Sequence, residues 1–347
     1  MSIRHILLIR LRYIGDAVLT LPLVRALQAA FPKAELCYLA EPGPASLLIG
    51  QPGIDEVIVL DRAYFAGLSP LRRFREHLKF FSMLRRQRFD LVIDLFGNPR
   101  SALLAYASGA PQRMGFDVRG RGMAYNLKIQ RGDSPWATDA YLDAARTLGI
   151  AVTEDRPRLH VSEATDRWAA DFLETHELFH RRLPIGLYPG ASWPAKKWPA
   201  HRFAEIADRL TETFGASVVL VCGPQQEMLV KEIQNHMKSP ALVAGPVDLP
   251  LIAALIRRLR LFISNDGGPM HIAAAVGTPT VGIFGPSRPD IWFPYPEKEG
   301  YMALKSDRSD CCGKDFCDRA TPCIEDISVA RVFEAATEAL RATERPA

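Results

Sequence analysis

The sequence predicts an α/β protein with two parallel sheets, one in each half of the chain. Short apolar runs typical of buried strands alternate with helical patterns. Each half opens with a strand, a polar loop that contains glycine, and a helix. At 347 residues the chain is long for a single hydrophobic core, so two domains are expected. The polar, proline-containing segment 151–158 is the predicted linker, which gives domains 1–158 and 159–328 and a terminal helical segment 329–347.

In the first half, apolar periodicity predicts strands at 3–9, 35–39, 56–60, 89–95 and 113–116, and helices at 16–31, 44–49, 71–88, 101–107 and 137–148. The helix over 16–31 has a large apolar residue at every fourth position from Leu19 to Phe31. Pro22 is expected to bend its early turns, because proline removes a helical hydrogen bond.

The second half repeats the alternation. The predicted strands are 185–188, 217–221, 242–245, 259–264 and 280–284, and the predicted helices include 163–178, 270–276 and 326–342. Gly277 and Pro279 end the helix over 270–276, since both residues disfavour its continuation.

The predicted helix over 71–88 carries an apolar stripe and many cations. Leu71, Phe74, Leu78, Phe81 and Leu84 recur at helical spacing and are expected to face the core. The remaining positions are rich in arginine and lysine. Two interpretations stay open: a solvated outer face of a packed helix, or a face that docks on anionic lipid.

Composition indicates an ordinary globular protein, with 48% hydrophobic and 24% charged residues. The net charge of +4 fits simple solubility or an anionic partner. No apolar run reaches the ~18 residues needed to cross a bilayer, and no signal peptide is apparent. The expected location is the cytoplasm, with peripheral contact to the inner membrane left open, and no nucleic-acid partner is expected.

Four of the six cysteines cluster near the C-terminus: Cys311, Cys312, Cys317 and Cys323. A metal or a pair of disulfides is conceivable for such a cluster, but its spacing fits no common zinc module and a cytoplasmic setting disfavours disulfides. No carboxylate pair of the DxD type lies at a suitable loop either. The expectation is therefore no bound metal and no cofactor.

Segment 264–289 reads as a strand end, a loop, a short helix, a strand and a second turn. Asp266, Gly267 and Gly268 suit a sharp turn with exposed N–H groups, directly before a helix N-terminus that favours anions. From the residues alone, this predicts an anion or nucleotide site, with an ordinary βαβ connection as the open alternative.

The whole string resembles the C-terminal signature of glycosyltransferase family 9, the ADP-heptose:lipopolysaccharide heptosyltransferases. The matching positions are Asp266, Gly268, His271, Gly277, Pro279, Gly285, Pro286 and Ser287. Gly267 departs from it, because the family usually has Ser or Thr there. The resemblance implies the GT-B fold, with two Rossmann-like domains whose parallel sheets face a central cleft.

Asp16 follows the first strand and the loop glycine Gly15. Taken alone, its carboxylate suits a helix N-cap or a general base. The opening of the chain, up to its Thr-x-Pro helix, also resembles the family. There the residue matching Asp16 is the proposed catalytic base, and the basic residue matching Arg10 lies in the acceptor cleft.

The loop after the strand at 185–188 contains the family pattern G-A-x(4)-K-x-W-P. The resemblance therefore assigns Lys196 to the donor diphosphate, with Ser192 as a further donor of hydrogen bonds. It places Glu227, or alternatively Gln225, at the ribose and Val247 at the adenine pocket. A polar loop and an ordinary surface glutamate are the alternatives.

Arginines follow several strands of the first half and form a candidate acceptor site: Arg10, Arg12, Arg100, Arg119 and Arg121. As a group they suit phosphates and carboxylates, such as those of lipopolysaccharide acceptors. Individually each could be a surface arginine.

These observations predict an inverting, metal-independent glycosyltransferase that moves heptose from ADP-heptose to a lipid-linked, anionic lipopolysaccharide inner core. Asp266 to His271 and Ser287 would help to hold the sugar nucleotide. Two alternatives stay open: a GT-B enzyme that uses another sugar nucleotide, or a non-catalytic membrane-surface protein of the same fold.

Overall fold

The computed structural model describes residues 3–117, 121–176, 183–308, 313, 316–317 and 321–344. The chain divides into two compact units, Met1–His160 and Val161–Ala347. Each unit contains one parallel six-stranded sheet, which confirms the predicted α/β class with two parallel sheets.

Unit 1 is a doubly wound α/β layer structure. Its strands are β1 (His5–Ile9), β2 (Glu35–Ala40), β3 (Glu56–Val59), β4 (Leu91–Asp94), β5 (Gln112–Gly115) and β6 (Leu127–Lys128). Its helices are α1 (Ile14–Leu19), α2 (Leu21–Ala30), α3 (Pro42–Leu48), α4 (Arg62–Gly67), α5 (Pro70–Arg86), α6 (Pro99–Ala107) and α7 (Ala137–Thr147). The strand order β3-β2-β1-β4-β5-β6 is the order of a Rossmann sheet.

Unit 2 repeats this order as β12-β11-β10-β7-β8-β9. Its strands are β7 (Pro184–Tyr188), β8 (Ser217–Val221), β9 (Ala241–Ala244), β10 (Leu261–Asn265), β11 (Thr280–Phe284) and β12 (Tyr301–Lys305). Its helices are α8 (Glu163–Thr175), α9 (Ala200–Phe214), α10 (Glu227–His236), α11 (Leu249–Arg257), α12 (Gly268–Ala275), α13 (Pro289–Trp292) and α14 (Val329–Glu344). All strand pairs in both sheets are parallel.

Both sheets are covered by apolar helix faces. The central strand β1 is buried from Ile6 to Ile9, as expected for a parallel strand with helices on both sides. In unit 2, α14 packs against α9 and against β10, β11 and β12, and its Val332 and Ala336 are fully buried. The terminal helix α14 is therefore part of the hydrophobic core of unit 2.

The first helical region is split at one residue. The sequence predicts one helix over 16–31 with a bend near Pro22, and the structure has α1 and α2 separated by Thr20. Pro22 is the second residue of α2, where its missing N–H costs little. Thr20 is buried and donates its hydroxyl proton to the Ala17 carbonyl at 2.7 Å.

The predicted orientation of α5 is wrong over its first half. Leu71, Phe74 and Leu78 are 71%, 61% and 51% exposed, while Leu84 is buried. Phe81 packs against the core as predicted, together with Phe80, which lies outside the predicted stripe. Within the described residues, no helix combines the length and apolarity required to cross a bilayer.

His5 ties the start of β1 to two neighbouring elements. One ring nitrogen lies 2.9 Å from the Gln87 carbonyl oxygen, and the other lies 2.6 Å from a carboxylate oxygen of Glu35. The hydrogen bond to the Gln87 carbonyl raises the pKa of His5 most, burial opposes it, and Glu35 adds to the increase. The protonated ring donates to both partners.

We expect His5→Gln to destabilise the protein more at pH 5.5 than at pH 9. A raised pKa in the folded state gives stability that is fully present below the unfolded pKa, near 6.5, and is lost as the pH rises through the folded value. Thermal unfolding at both pH values measures the difference. In a Glu35→Gln background the pH dependence should shrink, and an equal loss at both pH values would contradict the assignment.

Candidate active site

The candidate residues of unit 1 lie where its sheet reverses direction. The strand order changes between β1 and β4, and loops at the carboxyl ends of such strands commonly form ligand sites. The loop after β1 leads into α1 with Arg10 and Asp16. The loop after β4 carries Phe96 and leads to Arg100.

Asp16 is held through one of its two oxygens. Arg10 Nη2 lies 2.5 Å from Asp16 Oδ1, and the Tyr141 hydroxyl donates to the same oxygen at 2.6 Å. Burial and the adjacent Asp16 raise the pKa of Tyr141 well above its ordinary value, so the phenol stays a donor. Within the described part of unit 1, no hydrogen bond reaches Oδ2. One oxygen is therefore positioned, and the other remains available for a substrate proton.

The capping interpretation of Asp16 is wrong. Tyr13 is the N-cap of α1, and Asp16 lies in the first turn without bonding to the orphan N–H groups. A carboxylate in a first turn is still favoured by the helix dipole. Tyr141 was not predicted, since it comes from α7, 125 positions along the chain.

Asp94 shapes the second loop of this edge. Its Oδ1 accepts the N–H groups of Phe96 and Gly97 at 2.9 and 3.0 Å, and its Oδ2 accepts the Tyr125 hydroxyl at 2.6 Å. Burial raises the pKa of Asp94 although these hydrogen bonds lower it. The loop so formed places the centroid of the Phe96 ring 4.8 Å from the Arg10 guanidinium carbon, a cation–π contact that helps to hold Arg10.

The other predicted arginines have different surroundings. Arg10 itself is buried against Asp16. Arg12 Nε lies 3.9 Å from Glu41 Oε2, and the Arg12 guanidinium lies over the Tyr13 ring. Arg12 is therefore only weakly paired. Arg100 is exposed at the start of α6. Arg119 and the side chain of Arg121 lie outside the described residues.

In unit 2, the corresponding reversal lies between β7 and β10. Lys196 follows β7 in a short 3₁₀ turn, Pro194–Lys196, and Asp266 follows β10 directly. Lys196 Nζ donates to Asp266 Oδ2 at 2.7 Å, with the lysine side chain 20% exposed and the aspartate 6%. The two motifs predicted to hold the donor are therefore adjacent, and the lysine side chain stays partly accessible.

Three hydrogen bonds and one close backbone approach hold the loop that carries Lys196. Asn265 donates to the Pro189 carbonyl at 2.7 Å and accepts from the Trp198 N–H at 3.3 Å. Trp198 is buried and donates from its indole to the Ile327 carbonyl at 2.8 Å. A Cβ on Gly285 would lie 2.3 Å from the Ala195 carbonyl oxygen. Asn265 was not predicted, because a polar residue ending a buried strand resembles part of the following turn.

The remaining predicted donor residues follow neighbouring strands of the same sheet. Ser192 is exposed after β7, Glu227 is exposed at the start of α10, and Val247 is 37% exposed after β9. Ser287 follows β11, and its hydroxyl oxygen is buried without a hydrogen-bond partner among the described residues. The geometry places these loops at one sheet edge, while their roles stay predictions.

The turn at Gly267 and Gly268 opens α12, with Gly267 as the N-cap and Pro269 in the first turn. His271 lies within α12 and is buried. The sequence prediction of a short, closely packed helix after this turn is confirmed, and β11 has the predicted bounds.

A further residue links the loops after β7 and β8. Gln226 accepts the Gly223 N–H at 3.0 Å and donates to the Tyr188 hydroxyl at 3.1 Å. Its amide fills the space that a Cβ on Gly190 would need. Gln225, the alternative to Glu227 at the ribose, lies in the turn before α10, with a φ of 64°, and is exposed.

No group of three or more potential metal ligands occurs among the residues that the structure describes. Cys311 and Cys312 fall outside them, Cys323 is buried and Cys317 is half-buried. Metal independence stays a prediction.

Comparison with known proteins agrees with this geometry. The family "Glycosyltransferase family 9 (heptosyltransferase)" matches residues 77–317. Lipopolysaccharide heptosyltransferase 2 of Escherichia coli is 28% identical over 344 residues, covering 95% of this chain and 96% of that protein. A glycosyl transferase family 9 structure from Veillonella parvula has a TM-score of 0.86 at 27% identity, covering 98% of both chains. The E. coli ADP-heptose lps heptosyltransferase II structure has a TM-score of 0.79 at 26% identity, covering 98% of this chain and 100% of that one.

The two Rossmann-like sheets and these structural neighbours define a glycosyltransferase with the GT-B fold. The chain belongs to glycosyltransferase family 9, the heptosyltransferase family.

We expect Gly285→Ala to lower the melting temperature by about 2–6 °C, because the new methyl group would lie 2.3 Å from the Ala195 carbonyl oxygen and backbone would have to shift. It should also weaken ADP binding, since Ala195 adjoins Lys196. Gly43→Ala is the matched control, because a Cβ there has no neighbour within 4 Å. Calorimetry and ADP titration measure both effects; wild-type values for Gly285→Ala would show that the loop adapts freely.

Proposed function

We propose that the protein transfers heptose, with inversion, from ADP-heptose to the inner core of a lipid-linked lipopolysaccharide acceptor. The observation that carries the proposal is Asp16, a buried carboxylate with one oxygen fixed by Arg10 and Tyr141. The family membership supports the reaction class. The relatives named as lipopolysaccharide heptosyltransferases support the donor and the acceptor.

Asp16 acts as the general base. As the acceptor hydroxyl attacks the anomeric carbon, its proton passes to Asp16 Oδ2, while the bond from that carbon to the diphosphate oxygen breaks. A base that removes the proton during attack contributes about 10²–10⁴-fold in rate. Arg10 and Tyr141 orient the carboxylate, so less conformational freedom is lost at the moment of reaction.

The second unit binds the donor. Lys196 stabilises the negative charge that develops on the leaving diphosphate, and the N-terminus of α12 adds its N–H groups. Ser192 and Ser287 contribute hydroxyl donors, Glu227 binds the ribose, and Val247 lines the adenine site. Asp266 accepts hydrogen bonds from sugar hydroxyls, and the segment from Asp266 to His271 helps to bind the donor.

The acceptor is anionic, so Arg12, Arg100, Arg119 and Arg121 are its proposed partners. An acceptor anchored in lipid implies work at the cytoplasmic face of the inner membrane, with the protein attached peripherally. The reaction is proposed to need no metal and no cofactor besides its sugar-nucleotide substrate.

Thermal shifts with ADP, UDP and GDP, followed by an assay of ADP-heptose with defined core acceptors, test the donor assignment. Stabilisation by ADP above the other nucleotides is expected. Preference for UDP or GDP would favour the alternative of another GT-B sugar-nucleotide enzyme, and binding without any transfer would favour a non-catalytic protein.

Asp16→Ala should lower kcat by about 10²–10⁴-fold, because it removes the base. The dissociation constant for ADP should stay within about twofold, since the donor contacts lie in the second unit. Steady-state kinetics and calorimetric titration measure the two quantities. Turnover at the wild-type rate would refute the role of Asp16 as the base.

Lys196→Ala should lower kcat about 100-fold and weaken ADP binding, because the developing phosphate charge loses its cation. Lys197→Ala is the matched control: this lysine is adjacent and exposed, and it should keep ADP affinity and kcat within about twofold. Equal losses in both variants would indicate a general effect of loop charge rather than a specific contact.

A further inference from the structure

The outer face of α5 combines exposed apolar side chains with exposed cations. Phe74 follows Leu71 by three positions, and Leu78 follows Phe74 by four, so the three side chains share one side of the helix. Each is more than half exposed. Arg75 and Arg85 continue the same side at i+4 and i+7 spacing and are also exposed. We call these five residues the α5 face.

The opposite side of α5 fixes the helix to unit 1. Phe80 and Phe81 pack against the core, and Phe65 of α4 lies 4.4 Å from the His77 ring, centroid to centroid. Arg73 donates to the Phe65, Ala66 and Leu68 carbonyls at the end of α4, at 2.9 to 3.0 Å. The α5 face is therefore presented by a fixed helix, and its apolar residues stay on the outside.

Charge on α5 is strongly one-sided. The helix contains six cations, Arg72, Arg73, Arg75, Lys79, Arg85 and Arg86, and one acid, Glu76. Glu76 is paired with Lys79 at 2.7 Å, and Arg73 is used by the α4 carbonyls. Among the described residues, the other four arginines of α5 form no ion pair, and they share the helix with three exposed apolar residues. Cations near an anionic bilayer and apolar side chains buried at its boundary both favour binding.

From this juxtaposition we propose that the α5 face is a docking surface for an anionic lipid bilayer. Leu71, Phe74 and Leu78 enter the boundary between headgroups and acyl chains, and the arginines contact lipid phosphates. A second copy of this chain is a poor occupant, because a two-fold contact through this face would oppose cation to cation. The proposal deepens the proposed function by naming the surface that meets the membrane.

The test is flotation of the full-length protein with vesicles, in the absence of donor and acceptor. Wild-type protein should bind phosphatidylglycerol vesicles at least about tenfold more tightly than phosphatidylcholine vesicles, and added salt should weaken binding. Leu71→Ser/Phe74→Ser/Leu78→Ser and Arg75→Glu/Arg85→Glu should each weaken binding about tenfold or more. These positions are exposed, so melting temperatures should stay near wild type.

The matched control is Lys33→Glu/Ile49→Ser, which changes an exposed cation and a 65% exposed apolar residue elsewhere in unit 1. It should bind vesicles as wild type does. Three outcomes would overturn the proposal: no binding of wild type to anionic vesicles, equal binding to both lipids, or wild-type binding by either α5 variant. Failure of the wild-type protein to bind anionic vesicles would indicate that the α5 face binds a protein partner instead.

The vesicle result is independent of the proposed reaction. On an acceptor without acyl chains, both α5 variants should transfer heptose at the wild-type rate. If wild-type protein binds vesicles but transfers no heptose, the proposed function fails and the docking surface stands.

Discussion

The candidate sites of unit 1 and unit 2 depend on one constraint, the reversal of strand order at the centre of a parallel sheet. Helices on the two sides of that point leave the sheet in opposite directions, so the loops after the two central strands are left uncovered. The loops after β1 and β4 occupy this position in unit 1, and those after β7 and β10 occupy it in unit 2. A buried charged or polar side chain then fixes a loop in each unit: Asp94 in unit 1 and Asn265 in unit 2.

The two units use the same position with opposite electrostatic emphasis. In unit 1 the Arg10 cation and the Tyr141 phenol hold the carboxylate of Asp16, so the group with an open hydrogen-bonding position is an anion. In unit 2 the carboxylate of Asp266 holds the ammonium of Lys196. The lysine side chain is the more exposed of the two, so the accessible group is a cation. Buried ion pairs often add little net stability after desolvation. Their value here is orientation, because each pair leaves one partner with a free hydrogen-bonding position.

Periodicity in the sequence predicted most elements, because buried parallel strands and amphipathic helices have distinct apolar spacings. It failed for the first half of α5, where Leu71 and Leu78 share the stripe of the buried Leu84 and yet are exposed. Phe80 lies outside that stripe and packs against the core beside Phe65 of α4, a contact between helices that the spacing within α5 does not encode. Motif resemblance predicted Asp16, Lys196 and Asp266 as site residues. Tyr141 escaped prediction because its contact with Asp16 depends on how α7 folds back.

The pair of Lys196 and Asp266 raises a physical question, since the diphosphate proposed to bind here would share the lysine with a carboxylate. An ammonium carries three N–H donors, and the 2.7 Å bond to Asp266 uses one of them. The carboxylate therefore holds the side chain in one rotamer while two donors remain for phosphate oxygens. In the proposed complex, repulsion between Asp266 and the diphosphate would be opposed by the N-terminus of α12, which begins two residues after Asp266. Orientation before the ligand arrives reduces the reorganisation needed as charge develops, which is why a buried aspartate can favour, rather than oppose, a site for an anion.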